Sequence, residues 1–152
     1  MAVQPIPAGY HSVTPYLIVK DAAKAIDFYQ RAFGATELFR LPGPDNKVAH
    51  AEIKIGDSPV MLADEMEGCS GPHTLGGSPV SLMIYVPEVE KTFPQALAAG
   101  AKEQRPLADQ FYGDRSGTLI DPFGHVWTIA THTEDVSAEE MDRRYKKLMQ
   151  GG

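Results

Sequence analysis

Residues 111–131 read F-Y-G-D-R-S-G-T-L-I-D-P-F-G-H-V-W-T-I-A-T and predict two β-strands joined by a tight turn. The turn is Asp121-Pro122-Phe123-Gly124, and Asp, Pro and Gly at its first, second and fourth positions are typical of a type I turn. A polar strand enters the turn, and the β-rich run Val126-Trp127-Thr128-Ile129 leaves it. The polar side chains around this hairpin are Tyr112, Asp114, Arg115 and His125.

The hairpin ends the second of two similar halves. Gly34-Ala35-Thr36-Glu37 resembles Gly100-Ala101-Lys102-Glu103, and residues 34 and 100 lie 66 positions apart. Each half predicts the order strand, helix, strand, strand, strand, so the sequence predicts an α+β fold of two tandem βαβββ modules. Since neither small sheet buries a face alone, we expect one curved mixed sheet around a cavity, with the helices outside.

The predicted organisation is a single domain over residues 1–152. Module 1 spans about 10–66, a linker follows at 67–79, and module 2 spans about 80–131. A C-terminal helix is predicted at about 137–149, because Ser137 and Glu140 form a capping box. Its narrow apolar stripe suits packing on its own domain or on a dimer partner equally well.

Composition excludes several classes of function. The formal charge of −6 argues against nucleic acid as a partner, since no basic face offsets it. No apolar run is long enough to span a bilayer, which argues against a membrane partner. The lone Cys69 leaves no disulfide framework, and the start of the chain lacks the features of a signal peptide. We therefore expect a cytoplasmic protein.

Two motifs resemble one known family. Tyr16-Leu17-Ile18-Val19, followed by Ala25-Ile26-Asp27-Phe28-Tyr29, resembles the opening of the vicinal oxygen chelate superfamily. Asp121-Pro122-Phe123-Gly124-His125 resembles its closing motif. This superfamily contains glyoxalases, bleomycin-resistance proteins and dioxygenases. The resemblance covers the chain from His11 to Thr131 and implies paired βαβββ modules, a small-molecule ligand and a homodimer.

The resemblance also implies where a metal would be bound. Metalloenzymes of the superfamily take ligands from the first and last strand of each module, typically His, Glu or Gln. The matching positions here are Thr14, Leu62, Ser81 and Thr128, with Leu62 uncertain by one residue. None offers an imidazole or carboxylate, which Zn, Ni, Fe or Mn prefer. We therefore expect the metal-free branch, with no cofactor, and a glyoxalase- or bleomycin-resistance-like role in binding a small organic molecule.

Strand alternation, applied to those positions, predicts the side chains that face the cavity. The ligand-binding set is predicted to be Thr14, Tyr16, Leu62, Ser81, Met83, Tyr85 and Thr128. Trp127 and Ile129 then point to the helices as core. Hydroxyls among apolar groups suit a neutral or aromatic ligand.

Tyr112 and Arg115 are further candidates, because the resemblance places their loop and strand at the cavity mouth. Tyr112 could stack on a flat ligand, and Arg115 could hold a carboxylate or phosphate. A structural salt bridge explains Arg115 equally well. Asp114 and Arg115 are adjacent, so they point to opposite faces of their strand.

The alternative function is a divalent-metal-dependent lyase, isomerase or dioxygenase with non-standard ligands. His50 and Glu52 share one face of a predicted strand and could act as an acid/base pair or bind a metal. An exposed polar strand face explains them slightly better. Whether the protein is an enzyme stays open, as does a third role as an interaction module whose cavity is filled.

The other histidines and the cysteine give weaker signals. His11 is expected at a strand start, His125 exposed in a turn, and His132 without a partner. Cys69 and His73 lie in the predicted linker, and two such residues alone are a poor metal site.

Overall fold

The computed structural model describes residues 2–151 and contains eight strands and four α-helices. The first half contains β1 (Tyr16–Val19), α1 (Ala22–Phe33), β2 (Thr36–Pro42), β3 (Val48–Ile55) and β4 (Ser58–Asp64). The second half contains β5 (Ser81–Tyr85), α3 (Val89–Ala99), β6 (Lys102–Asp109), β7 (Asp114–Ile120) and β8 (Val126–His132). The short α2 (Pro72–Leu75) lies between the halves, and α4 (Ala138–Gly151) follows them. The predicted α+β fold with two βαβββ modules and a C-terminal helix is confirmed.

The strands form two separate sheets. Sheet 1 has the order β1-β4-β3-β2, and sheet 2 has the order β5-β8-β7-β6. In each sheet the first and last strands of the module run parallel, and the other pairs are antiparallel. The expected single curved sheet is thus divided: β1 and β5 are both edge strands, and within residues 2–151 no strand pairing joins the sheets.

Helix α1 begins and ends at residues that commonly mark helix ends. The Asp21 carboxylate accepts a hydrogen bond from the Lys24 amide, as an N-cap residue does. Gly34 ends the helix in the left-handed conformation that glycine adopts without strain. The buried Asp64 carboxylate accepts from the amides of Ala22 and Val48, so it fixes the start of α1 to sheet 1.

The turn at residues 121–124 joins the two modules. Asp121 is buried, and its carboxylate accepts from the Tyr29 hydroxyl of α1 at 2.5 Å and from Trp127 Nε1 at 2.9 Å. It also accepts from the amides of Phe123 and His125, both at 2.9 Å. The rings of Tyr29 and Trp127 pack with centroids 5.5 Å apart. The turn therefore connects the helix of module 1 to the last strand of module 2.

The predicted linker contains structure. Helix α2 begins at the buried Pro72, and its His73 Nε2 bonds the Pro122 carbonyl at 2.8 Å. A β-carbon at Gly124 would lie 2.7 Å from Pro72, so the turn needs glycine there. The linker thus packs against the turn that joins the modules. The boundaries proposed for the modules stay predictions.

Helix α4 packs on module 2 of the same chain. Ser137 caps it through the Glu140 amide, as the capping box predicts. Arg144 donates to the Phe111 carbonyl, and the rings of Phe111 and Tyr145 lie 5.7 Å apart. None of the helices within residues 2–151 is long and apolar enough to cross a membrane.

Acid should weaken helix α4 itself, because Glu140 and its two arginine partners all lie on this helix. Hydrogen bonds from Arg143 and Arg144 lower the pKa of the Glu140 carboxyl from 4.5 to about 2. A lowered folded-state pKa gives stability that is complete above 4.5 and is lost as the pH falls toward 2. We expect pepsin to cleave α4 faster across that window. A Glu140→Gln variant should lose this pH dependence, whereas Glu139→Gln should keep it.

Candidate functional site

Each sheet turns one face to the helices and leaves the other open. On sheet 1 the open face is defined by the residues Tyr16, Phe39, His50, Glu52 and Met61. On sheet 2 it is defined by Ser81, Met83, Tyr85, Thr118 and Thr128. The alternating burial of β1 and β5 separates these residues from the core. Most of the predicted ligand-binding residues therefore lie on the open faces.

The expectation for Leu62 is wrong. Its side chain is fully buried in the core, on the helix side of sheet 1. Met61 occupies the open side instead and pairs with Tyr16 and Glu52 on the neighbouring strands. The count from the family motif was one residue too far along β4, because every one-residue step on a strand exchanges the two faces.

Thr14 lies outside the regular strand. The structure begins β1 at Tyr16, two residues later than Thr14, and Pro15 precedes the strand. Proline has no N–H to donate, which explains why regular pairing starts after it. On sheet 2, Thr128 is on the open face and its hydroxyl bonds that of Thr118 at 3.0 Å. Trp127 and Ile129 are buried, as expected.

Four side chains on and beside sheet 1 form one hydrogen-bonded chain, here called network 1: Tyr10, Glu52, His50 and Tyr16. The Tyr16 hydroxyl lies 2.8 Å from His50 Nδ1, and His50 Nε2 lies 2.8 Å from the Glu52 carboxylate. The Tyr10 hydroxyl donates to the other oxygen of Glu52. These contacts are all satisfied when Tyr16 donates to Nδ1 and His50 carries its proton on Nε2.

Network 1 is more than an exposed polar face. Glu52 is buried, and the His50 ring lies between Tyr16 and Phe39, with centroids 5.4 Å and 5.8 Å away. Burial raises the pKa of the Tyr16 phenol, and the nearby Cys69 adds to the effect. Tyr16 therefore keeps its proton at neutral pH and remains a hydrogen-bond donor. The sequence indicated His50 and Glu52 but not Tyr10, which lies in the arm before β1.

Sheet 2 carries a second cluster, here called network 2: Tyr85, Asp114, His132 and Asp135. The Tyr85 hydroxyl donates to Asp114 at 2.8 Å, and His132 Nδ1 lies 2.7 Å from the other oxygen of Asp114. His132 Nε2 lies 2.7 Å from Asp135. The expectation that His132 has no partner is therefore wrong. Counting equal steps from the hairpin turn pairs Asp114 with His132, so the sequence contained the signal.

Arg115 lies on the opposite side of β7 from Asp114, as alternation predicts. Its guanidinium bonds Glu90 of α3 at 2.8 Å and Asp109 at 3.3 Å. Of its two predicted roles, these contacts favour the structural ion pair. Tyr112 is half-buried in the loop before β7 and packs edge-on against Phe111. His125, expected to be exposed, is half-buried and bonds the Ile18 carbonyl at 3.0 Å.

A cleft of about 770 Å³ lies between the modules. Its walls include His11, Pro15, Val60, Met83, Tyr85 and Thr92. Network 1 does not line it, whereas Tyr85 belongs both to the cleft and to network 2. The cleft is bordered by Met83 and Tyr85 from the open face of sheet 2 and by Leu82, Ile84 and Trp127 from its helix side.

The side chains at the family's metal positions do not fit a metal. Thr14, Ser81 and Thr128 offer only hydroxyls, and Met61, which replaces Leu62, offers a thioether. Zn, Ni, Fe and Mn sites in proteins are built mainly from imidazole, carboxylate and thiolate groups. Within residues 2–151, no three His, Cys, Asp or Glu side chains come together in a way that could hold a metal ion.

Three comparisons with known proteins agree with this architecture. The family profile described as Glyoxalase/Bleomycin resistance protein/Dioxygenase superfamily matches residues 9–129. An uncharacterized protein of Mycobacterium bovis is 44% identical over 93% of each chain. The crystal structure of TioX from Micromonospora sp. ML1 is 26% identical, with a TM-score of 0.64 over 84% of this chain and all of that one. The fosfomycin resistance protein FosX of Listeria monocytogenes, 18% identical, shares the fold with a TM-score of 0.62 over 86% of this chain and 97% of that one.

Proposed function

Since the chain belongs to the glyoxalase/bleomycin resistance protein/dioxygenase superfamily, we propose that it binds a small organic molecule on the open faces of its two sheets. The observation that supports this most directly is network 1, where aromatic rings flank a fully hydrogen-bonded imidazole and carboxylate. Small-molecule sites are mostly apolar, with a few placed polar groups that orient the ligand. The Tyr16 side chain, half of it exposed, is the part of this network that a ligand can reach.

The proposed ligand contacts are residues of the open faces together with Thr14 and Tyr112, which the sequence predicted. They are Thr14, Tyr16, Met61, Ser81, Met83, Tyr85, Tyr112 and Thr128. Aromatic and thioether groups among hydroxyls favour a flat, largely apolar ligand. The role is sequestration of this molecule or a metal-independent reaction on it.

We propose that this binding needs no metal ion. The donor chemistry at the family's metal positions supports that view, because hydroxyls and one thioether replace imidazole and carboxylate there. His50 and Glu52 are already occupied by each other and by two tyrosines. A metal at this pair would have to break those bonds.

A homodimer and a cytoplasmic location complete the proposal. Phe39 and Leu41 lie two residues apart on β2 and are both exposed, so they form a small apolar patch at the edge of sheet 1. Exposed apolar surface of this kind is typical of an interface. The single cysteine is compatible with a reducing compartment.

The binding proposal is tested with a Tyr16→Ala variant and a library of flat aromatic molecules. For any ligand found by calorimetry, Tyr16→Ala should weaken affinity about tenfold, the loss of about 1.4 kcal/mol that a buried aromatic contact supplies. Tyr145→Ala is the matched control, because both tyrosines are 48% exposed and Tyr145 lies on α4. Equal affinity in wild type and Tyr16→Ala would contradict a contact at this face.

The metal-dependent alternative rests on the residue types at this pair, because His50 and Glu52 bring an imidazole and a carboxylate together on one strand face. It predicts stoichiometric metal in protein purified without chelator, and thermal stabilisation by Zn, Ni, Mn or Fe. Both effects should disappear in His50→Ala or Glu52→Ala. That pattern would replace the metal-free proposal, whereas no metal and no stabilisation would support it.

A further inference from the structure

We propose that network 2 is an acid–base site that binds an aromatic oxyacid, a phenol or an aromatic carboxylic acid, through His132 Nε2 in place of the Asp135 carboxylate. The site lies at the end of the open face of sheet 2. This proposal rests on the proposed function in one respect, namely that the open face of sheet 2 is a ligand-binding surface.

Asp114 provides the fixed end of the site. Its side chain is only 4% exposed, yet it is a carboxylate with two strong donors, Tyr85 and His132. A buried carboxylate of this kind holds an imidazole in one orientation and favours its charged form. The geometry therefore directs Nδ1 of His132 inward and leaves Nε2 facing the surface.

Asp135 lies at the other end of network 2, where its carboxylate can be replaced by a ligand. Its side chain is fully exposed, although it lies 2.7 Å from His132 Nε2. Both carboxylates can only accept hydrogen bonds, so both contacts are satisfied only by the imidazolium, which donates from both nitrogens. An exposed ion pair contributes little, because water solvates the free carboxylate almost as well. Another oxyanion can therefore replace Asp135.

The charged groups around His132 set its protonation. Asp114 of β7 raises the pKa of His132 most, and Asp135 of the following segment adds to it. Tyr85 of β5 touches the same Asp114 carboxylate, and this hydrogen bond raises the pKa of Tyr85, with Tyr112 adding to the effect. The imidazolium thus persists to higher pH than in a free histidine, and it can pair with an oxyanion near neutral pH.

The adjoining surface suits an aromatic ring. The Tyr85 side chain is 61% exposed and belongs both to network 2 and to the cleft between the modules. A ring stacked on Tyr85 could place an oxygen at His132. A phenol binds to this imidazolium as its phenolate: its hydroxyl proton passes to solvent, and the electron pair stays on oxygen. The bound pair is a phenolate and an imidazolium held between two oxyanions.

The experiment uses the full chain with p-nitrophenol, benzoate and benzyl alcohol as probes. Binding is followed by calorimetry, and the ionisation of bound p-nitrophenol by its absorbance. Both acids should bind and shift the NMR signals of His132, and p-nitrophenol should be bound as phenolate. Benzyl alcohol, which has no acidic hydroxyl, should do neither. Equal binding of benzyl alcohol, or no binding of either acid, would overturn the proposal.

Two substitutions separate the site from a structural role. Asp135→Asn should tighten binding of both acids about two- to fivefold, because an exposed competitor is removed. His132→Gln, which can still donate to Asp114, should weaken it at least about tenfold and abolish the ionisation of p-nitrophenol. Asp142→Asn, an exposed change on α4, should alter neither. Weaker binding in Asp135→Asn, or unchanged ionisation in His132→Gln, would contradict the proposal.

Failure here and failure of the proposed function give different results. Acid binding that depends on His132 but not on Tyr16 supports network 2 and removes the role given to sheet 1. A ligand whose binding depends on Tyr16, together with unchanged binding of the acid probes in His132→Gln, supports the role of sheet 1 and removes that of network 2.

Discussion

Replacing Asp121 with alanine is expected to leave little folded protein at room temperature. The substitution removes one buried acceptor from four donors: the Tyr29 hydroxyl, the Trp127 indole and two backbone amides. Each donor left unsatisfied in the core costs about 1–3 kcal/mol. A total loss of about 4 kcal/mol or more is comparable to the whole stability of many domains.

Urea unfolding followed by Trp127 fluorescence measures this loss. Asp142→Ala is the control, since Asp142 is exposed on α4, where it pairs with Lys146. Asp121→Asn should be intermediate, because its amide oxygen still accepts hydrogen bonds. A midpoint within error of wild type for Asp121→Ala would show that the turn does not hold the modules together.

Gly113→Ala should destabilise the protein by about 3 kcal/mol, because it adds backbone strain to a steric clash. Gly113 has φ of +97°, and a β-carbon there would lie 2.1 Å from the Glu134 carbonyl oxygen. The Gly113 carbonyl also accepts hydrogen bonds from the amides of Thr133 and Glu134. The segment that leads from β8 to α4 would have to move away.

Gly76→Ala separates the two causes. Gly76 has φ of +92° but open space around it, so only the strain of about 1–2 kcal/mol applies. Limited trypsin digestion of Gly113→Ala should cut near α4 before the rest of the chain unfolds. Equal stability of the two variants would show that the clash is relieved without cost.

The ends of α1 and the start of α4 carry local signals in the sequence. Asp21 and Gly34 bound α1, and Ser137 caps α4, because capping residues and glycines act within a few positions. The short α2, by contrast, lies within the predicted linker. The face of sheet 1 on which Leu62 lies was predicted wrongly. A strand carries no such local marker, and a one-residue error in register moves a side chain to the opposite face. Tyr10 was missed because its partner Glu52 lies 42 positions away.

The sequence also could not predict that the strands form two separate sheets. The repeat predicts two like modules but not whether β1 and β5 pair with each other, since both edges have the same pattern. Network 2 was within reach, because the hairpin register places Asp114 opposite His132. The prediction that His132 has no partner failed because it left out Asp114, the residue opposite it on the neighbouring strand.

The joint between the modules has a consequence for synthesis. The aromatic side chains of α1 pack against Phe123 and Trp127. The Tyr29 hydroxyl donates to Asp121, which lies 92 positions later in the chain. Contacts this distant in sequence form slowly, because a long loop must close first. On the ribosome, the first half should therefore emerge with an uncovered aromatic surface and need a chaperone until residues 121–127 arrive.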